Sequence, residues 1–266
     1  MRAITLLAVL LLAACRTGRN YPGTEGPRYA GAPADSVPRR VTTDTLRFVS
    51  FNVEFSRQVD SAILVLSTDS ALRGADVILV QEMDSAAAKR IAEALGLWYV
   101  YYPAIFHVRA DRQFGNAVLA RWPIVEDAKL VLPHPSRYAR TQRTATAATI
   151  RVGATDVRVY STHLGTPLDI SASARRSQLR AIMKDAGRYE RVVIGGDLNS
   201  ESVGEVARES GYTWPTEHGP KTTSWGRWDH IFFKGLRSPD TMSAGTVIDA
   251  RATSDHVPVW AIAVIR

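Results

Sequence analysis

From Leu46 onward the chain is a succession of short apolar runs broken by Gly, Pro, Asp and Asn. LRFVSFNV, DVILVQEM, NAVLAR, TAATIRV, DVRVYSTHL, RVVIGGDL, WDHIFF and VPVWAIAVI have the length and the β-branched or aromatic content of strands. Between them SAILVLSTDSALRG, DSAAAKRIAEALG, SASARRSQLRAIMKDAG and SVGEVARESG repeat apolar residues at the helical spacing. DSAAAKRIAEALG also opens on an acid and stops before a glycine, as capped helices do. TIRVGATDVRVYS predicts a hairpin through Gly153 to Thr155. Helices and strands are interspersed without strict alternation, and short turns join neighbouring strands. That pattern predicts an α/β (α+β) fold of two mixed, mostly antiparallel sheets with helices outside, not a doubly wound parallel sheet.

The first 43 residues read differently. Arg2 precedes ITLLAVLLLAA, an apolar run too short to span a bilayer as a folded helix but suited to a signal peptide. The run ends in LAAC, which resembles the bacterial lipobox; Cys15 is the single cysteine. An ordinary secretory signal is the competing reading. Residues 16–43 are rich in Gly, Pro and polar side chains without apolar periodicity, which predicts a flexible tether. The expected plan is a signal peptide over 1–14, a lipidated Cys15 and tether over 15–43, and one folded domain over 44–266. It implies an exported, membrane-anchored lipoprotein of the bacterial cell envelope, with a secreted or periplasmic protein as the alternative, and a monomer is expected.

Composition adds two constraints. With 266 residues, 45% of them hydrophobic, the chain can bury one large core. The formal net charge of +7 suits an anionic partner such as nucleic acid, a phosphate ester or a lipid surface, although a general preference for Arg would give the same number.

The chemistry lies where the apolar runs stop. SFNV carries Asn52, VILVQEM carries Glu82, VYSTHL carries His163, VIGGDLN carries Asp197 and Asn199, WDHIFF carries Asp229, and ATSDHVPV carries Asp255 and His256. Strand alternation would point Asp197 and Asn199 the same way, with Leu198 turned into the core. A lone Asn or Glu at a strand end is ordinarily a turn former or a solvated acid. Six strands each delivering such a group would be costly as buried packing, and a shared polar cleft accounts for them together. The set is oxygen-rich, with Glu82, Asp197, Asp255 and the carboxamides, and it offers no thiolate. It therefore suits a hard cation, Mg²⁺, with Mn²⁺ or Ca²⁺ as alternatives. Two imidazoles remain for proton transfer or charge stabilisation, and the matching substrate is a phosphate ester attacked by water.

SFNV, QEM, GNAVLARWPI, STHL, GGDLNS, WDHIF and SDHVPV, in this order, resemble the motif series of the endonuclease/exonuclease/phosphatase superfamily, the deoxyribonuclease-I-like fold. The resemblance covers about residues 46 to 266 and implies a four-layer αββα sandwich with its site at one rim. It implies Glu82 as the principal metal ligand, with Asn52 beside it and Asp255 approaching. Asp197 matches the water-activating acid, and Asn199 a partner that orients substrate or nucleophile. His256 matches the imidazole that binds the scissile phosphate, oriented by Asp229. His163 falls where the nuclease, sphingomyelinase and phosphatase branches carry a histidine, which argues against abasic-site repair. Asn116 matches a position near the site, and Arg143, just ahead of a strand, is a candidate phosphate contact.

His107 and His134 read as exposed loop residues and His230 as facing away from Asp229. Trp225 and Trp228 flank Asp229 and could shape the entrance. The expected activity is metal-dependent hydrolysis of phosphodiesters, nuclease-like first. The alternatives are a phosphatase, a phospholipid-type phosphodiesterase, or a binding protein that keeps the fold without catalysis.

Overall fold

The computed structural model describes residues 18–34, 44–108, 110–239 and 243–265. The signal peptide and Cys15 lie outside the described residues. The strands are β1 (Gly18–Asn20), β2 (Tyr29–Gly31), β3 (Thr45–Asn52), β4 (Val77–Met83), β5 (Trp98–His107), β6 (Arg112–Ala120), β7 (Ile124–Val131), β8 (Thr144–Val152), β9 (Thr155–His163), β10 (Val192–Asp197), β11 (Asp229–Lys234), β12 (Ala244–Thr246) and β13 (Val259–Val264). Among the described residues four α-helices join them: α1 (Val59–Thr68), α2 (Ser85–Leu95), α3 (Ala172–Ala186) and α4 (Gly204–Glu209).

One sheet runs β1-β5-β6-β4-β3-β13-β12, with β2 also on β5, and the other runs β11-β10-β9-β8-β7. Each sheet is antiparallel except for one parallel pair, β3 with β4 and β9 with β10, and each of these pairs is joined through a helix, α1 or α3. The inner faces meet through Phe48, Leu79, Val159, Val193 and Ile231. The outer face of the first sheet packs on α1 and α2 through Ala62, Leu66 and Ile91, and that of the second on α3 and α4 through Leu179, Ile182 and Val206. The result is the expected four-layer sandwich.

Local chemistry sets the boundaries. Asp84 caps α2 by accepting from the Ala87 amide at 2.8 Å, and Gly96 ends the helix in the left-handed region. Gly153, at φ 63°, makes the tight turn between β8 and β9. The strands β5 and β7 lie outside the predicted set. WYVYYPAIFH carries Pro103 in its middle, which argues against a strand, but the register slips there between Pro103 and Ile105.

Residues 18–34 correct the tether expectation. β1 and β2 both pair with β5, the Arg28 guanidinium clasps Asp127 of β7 with two bonds of 2.6 Å, and the Lys129 ammonium donates to the Tyr21 carbonyl at 2.5 Å. The segment is therefore a strap across the flank of both sheets. Its Gly and Pro content marks close approach and turns here, not freedom of motion.

Candidate active site

Both parallel pairs run toward the same end of the sandwich, so their carboxyl ends meet there. Asn52 ends β3, Glu82 lies near the end of β4, His163 ends β9 and Asp197 ends β10. The antiparallel neighbours begin at this end: Asp229 is the first residue of β11, directly opposite Asp197, and His256 precedes β13.

The groups touch. Asn52 Nδ2 donates to Glu82 Oε1 at 3.2 Å and to Asp197 Oδ2 at 3.1 Å, across the two sheets. His163 Nε2 lies 3.3 Å from Asp197 Oδ2, and its Nδ1 lies 3.7 Å from Glu82 Oε1. His256 Nδ1 lies 2.8 Å from Asp229 Oδ2, and its Nε2 faces Asp197 Oδ2 at 3.6 Å. Asn52, Asp197, Asp229, His163 and His256 are all buried.

Burial sets the electrostatics. It pushes the Asp197 carboxyl up; nearby Asp229 and Glu82 add to this and His256 opposes it. Burial likewise raises Glu82, against the hydrogen bond from Asn52 and the charge of Arg143. Burial pulls the His256 imidazolium down, but the carboxylates of Asp229 and Asp197 outweigh it and raise the group to about 10. His163 goes the other way: burial, with the charges of Arg143 and His256, holds it well below the ordinary imidazole value. The two imidazoles are thus pushed in opposite directions, His256 up between two acids and His163 down.

Glu82 reaches the site by an irregularity. Regular alternation sends Gln81 between the sheets, where its Nε2 donates to Ser161 Oγ at 3.0 Å, and would send Glu82 outward to the helix layer. The β4–β6 register breaks between Val80 and Met83, and Glu82 takes φ 59°. This bulge turns the carboxylate to the rim. Three further non-glycine residues, Glu54, Phe55 and Ser56, have φ between 43° and 54° and wrap around it. The Phe55 amide donates to Glu82 Oε2 at 3.1 Å and Ser56 Oγ to the Glu82 carbonyl at 3.4 Å. Such left-handed backbone persists only where surrounding bonds enforce it.

Asn199 departs from the alternation argument. β10 ends at Asp197, and Asn199 sits in a turn at φ 49°, with its amide donating to Asp197 Oδ1 at 2.9 Å and its side chain to the Leu164 carbonyl at 3.0 Å. A turn, not a shared strand face, brings the two residues together. Asp255 is exposed, and its one described hydrogen bond, from Ser254 Oγ at 3.4 Å, lies within its own loop. Its charge still reaches Glu82 and His256. Asn116 is buried, donating to the Thr144 carbonyl at 2.7 Å, with its Oδ1 unpartnered. Arg143 lies over the Phe114 ring, 5.6 Å from its centroid, with Nη1 buried and unpartnered. It lines a cavity of about 180 Å³ with Phe55, Phe114, His107 and Asp169. A larger cavity of about 670 Å³, under residues 30–34 and α2, contains none of the site groups.

His107 is half-buried against Phe55, with ring centroids 5.3 Å apart, whereas His134 is exposed. His230 lies on the far face of β11, where its Nδ1 accepts from Trp214 Nε1 at 3.2 Å. Trp225 is exposed and Trp228 half-buried. Two supports escaped the sequence reading. Ser254 Oγ donates to the Asn52 carbonyl at 2.7 Å and receives the His256 amide at 3.2 Å, and Thr222 Oγ1 receives the Asp229 amide at 3.2 Å. The serine next to Asp255 in ATSDHVPV was the available signal for the first; an isolated threonine offered none for the second.

Asp197, Asp229 and His256 present ligand atoms within 4.8 Å of one another, and the rim as a whole offers carboxylates, a carboxamide and imidazoles at bonding distance. A family model described as Endonuclease/Exonuclease/phosphatase family matches residues 49–256. No curated protein matches the chain in sequence. Among solved structures, an endonuclease/exonuclease/phosphatase family protein from Leptotrichia buccalis is 16% identical with a TM-score of 0.66, over 81% of this chain and 98% of that one. A humanized TDP2 from D. rerio is 18% identical, with a TM-score of 0.65 over 83% and 99% of the two chains. Sphingomyelinase C from Streptomyces griseocarneus is 16% identical, with a TM-score of 0.61 over 83% and 99%. At these identities the structures speak for the fold, while the family model, spanning both parallel pairs and their terminal acids, speaks for the lineage. The chain belongs to the endonuclease/exonuclease/phosphatase family and is a metal-dependent hydrolase of phosphate esters.

Proposed function

We propose that this chain is an exported phosphodiesterase that uses Mg²⁺ and cleaves by in-line attack of water. The observation that carries the reading is the Asp197 carboxylate. It is buried and elevated, and it touches Asn52 of one sheet, His163 of its own sheet and, at 3.6 Å, the imidazolium of His256.

The donor set fits a divalent cation at Glu82. That carboxylate receives only neutral donors, the Asn52 amide and the Phe55 N–H, and has no Lys or Arg ion pair among the described residues. Burial raises it, against the Asn52 hydrogen bond and the charges of Arg143 and His256. Asp229 Oδ1, Asn116 Oδ1 and His163 Nδ1 are also buried and unpartnered. Glu82 and Asn52 would hold the ion, with Asp255 approaching from the rim. Bound there, it would neutralise the phosphoryl oxygens and the leaving oxygen. In the Asp197–Asp229–His256 group, Asp229 Oδ2 and His256 Nδ1 already hydrogen-bond each other at 2.8 Å, so that group is the second place for a cation.

The chain's own groups supply the rest. Asp197 takes the proton from water as its oxygen bonds to phosphorus, and elevation of the carboxyl makes it a stronger base than a solvated aspartate. Asn199 holds Asp197 through its backbone amide. His256, fixed by Asp229, presents Nε2–H to the phosphoryl oxygens, and His163 holds Asp197 from the other side at 3.3 Å. The departing alkoxide takes its proton from solvent water as the phosphorus–oxygen bond breaks, and the proton held by Asp197 returns to solvent. Arg143 is a further phosphate contact, because its buried Nη1 has no partner among the described residues.

Two substrate classes present this phosphodiester. The charge of +7 supports a nuclease-like substrate, and a similar solved structure is D. rerio TDP2 complexed with a single-strand DNA product. Exposed apolar side chains on the rim loops, Tyr138, Leu168 and Trp225, support a phospholipid head group. Purified full chain assayed with Mg²⁺ on single-stranded DNA, plasmid, sphingomyelin, phosphatidylglycerol and inositol phosphates should cleave a phosphodiester and lose activity in chelator. Failure on every phosphodiester, or chelator-resistant turnover, would refute the proposal.

A further inference from the structure

We propose that the rim around the active site is a docking surface for a bilayer rich in anionic head groups, formed by β1, the loop 132–143 and the loop 164–171. Docking stands on its own observations; only the statement that a head-group phosphodiester is what the site then meets rests on the phosphodiesterase reading.

The three segments form one surface. Asn20 Nδ2 of β1 donates to the Arg140 carbonyl at 2.8 Å, and the Gln142 amide donates to Asn20 Oδ1 at 2.9 Å. The Arg137 amide donates to the Asp169 carbonyl at 3.1 Å, which fastens the loop 132–143 to the loop after His163. Arg143 and Asp169 at the inner edge of this surface line the cavity of about 180 Å³ beside the site.

Its chemistry suits an anionic interface. The loop 132–143, LPHPSRYARTQR, contains three arginines and no acid. Arg137 and Arg140 are exposed and have no ion pair among the described residues. Between and beside them stand Tyr138, 75% exposed, and Leu168, 87% exposed. Val108 and Trp225 are likewise exposed on rim loops. Cations for phosphate, with aromatic and aliphatic side chains for the head-group boundary, make an interfacial surface.

The chain outside the described residues supplies the second argument. β1 begins at Gly18, opposite His107, at the site end of β5. The preceding sequence, ITLLAVLLLAAC, is apolar, and only Arg16 and Thr17 separate Cys15 from Gly18. At roughly 3.5 Å per residue, an anchor at Cys15 could reach no farther than about 10 Å from Gly18. Any membrane attachment there delivers this rim, not the far end, to the bilayer.

The test places an environment-sensitive fluorophore on Leu168→Cys or, at the far end of the sheets, on Ala154→Cys, each in the full chain carrying Cys15→Ser. With vesicles of phosphatidylglycerol and phosphatidylcholine the label at 168 should shift to the blue and the label at 154 should not. Arg137→Glu with Arg140→Glu should raise the lipid needed for half the shift about tenfold. Hydrolysis of soluble bis(4-nitrophenyl) phosphate should stay unchanged. Equal responses at 168 and 154, undiminished binding of the charge-reversed variant, or a response to single-stranded DNA with none to vesicles would overturn docking. If docking holds while no variant or parent hydrolyses the soluble diester, the phosphodiesterase reading fails and the surface remains.

Discussion

The two parallel strand pairs do the same task by different means. At the end of β9 and β10 the backbone is regular: His163 and Asp197 are directly opposite, Asp229 flanks Asp197 on the other side, and pairing alone brings the three together. At the end of β3 and β4 regularity would fail, because it would bury Glu82 under the helices. A bulge and a run of left-handed residues redirect it. The regular half brings acids and imidazoles into contact by strand pairing; the strained half turns Glu82, the proposed cation ligand, to the same rim.

Four substitutions test this division, from the largest expected effect down. Asp197→Asn removes the base at almost constant shape, so turnover should fall about a thousandfold or more while circular dichroism stays native; turnover within tenfold of the parent in a folded variant would dismiss Asp197 as the base. Glu82→Gln should cost about a hundredfold, and unlike Asp197→Asn it should raise the Mg²⁺ concentration needed for half-maximal rate. An unchanged metal requirement would move the cation away from the strained half.

Asp229→Asn should lower activity about tenfold at neutral pH and bring the His256 value down from about 10, readable by NMR titration of the ring. The sign for stability follows from the raised value. The stabilisation is complete below the ordinary 6.5 and is lost as pH rises through about 10, so the metal-free parent should lose melting temperature over that range. The variant should lose less. The smallest effect belongs to Gln81→Ala, which leaves Ser161 without its buried donor across the sheets and should cost about 1–3 kcal/mol in chemical denaturation, with little change in mechanism.

The regular half was legible in the sequence and the strained half only in part. Asp197, His163, Asp229 and His256 could be placed because apolar runs end on them and strand pairing is regular there. Glu82 could be listed but not aimed, since nothing in QEM announces a positive φ at a residue other than glycine. Asn199 was drawn to the site by the wrong device, because alternation does not continue past the last residue of β10. Phe55 and Phe114, which line the cavity beside Arg143, stand in no motif and were not singled out. β5 was hidden by its proline, and the strap by a composition that also describes linkers.

That strap changes what a useful minimal protein would be. Cutting at residue 44, where the composition shifts, would strip β5 of both small partners and leave Asp127 facing Tyr102 without the Arg28 guanidinium. An uncovered strand edge of this length invites pairing between copies, so the shortened product should self-associate in proportion to its concentration. During synthesis the same segment emerges long before its partners exist, with Asn20 and Arg140 separated by 120 residues of chain. This early stretch is thus among the last to find its place.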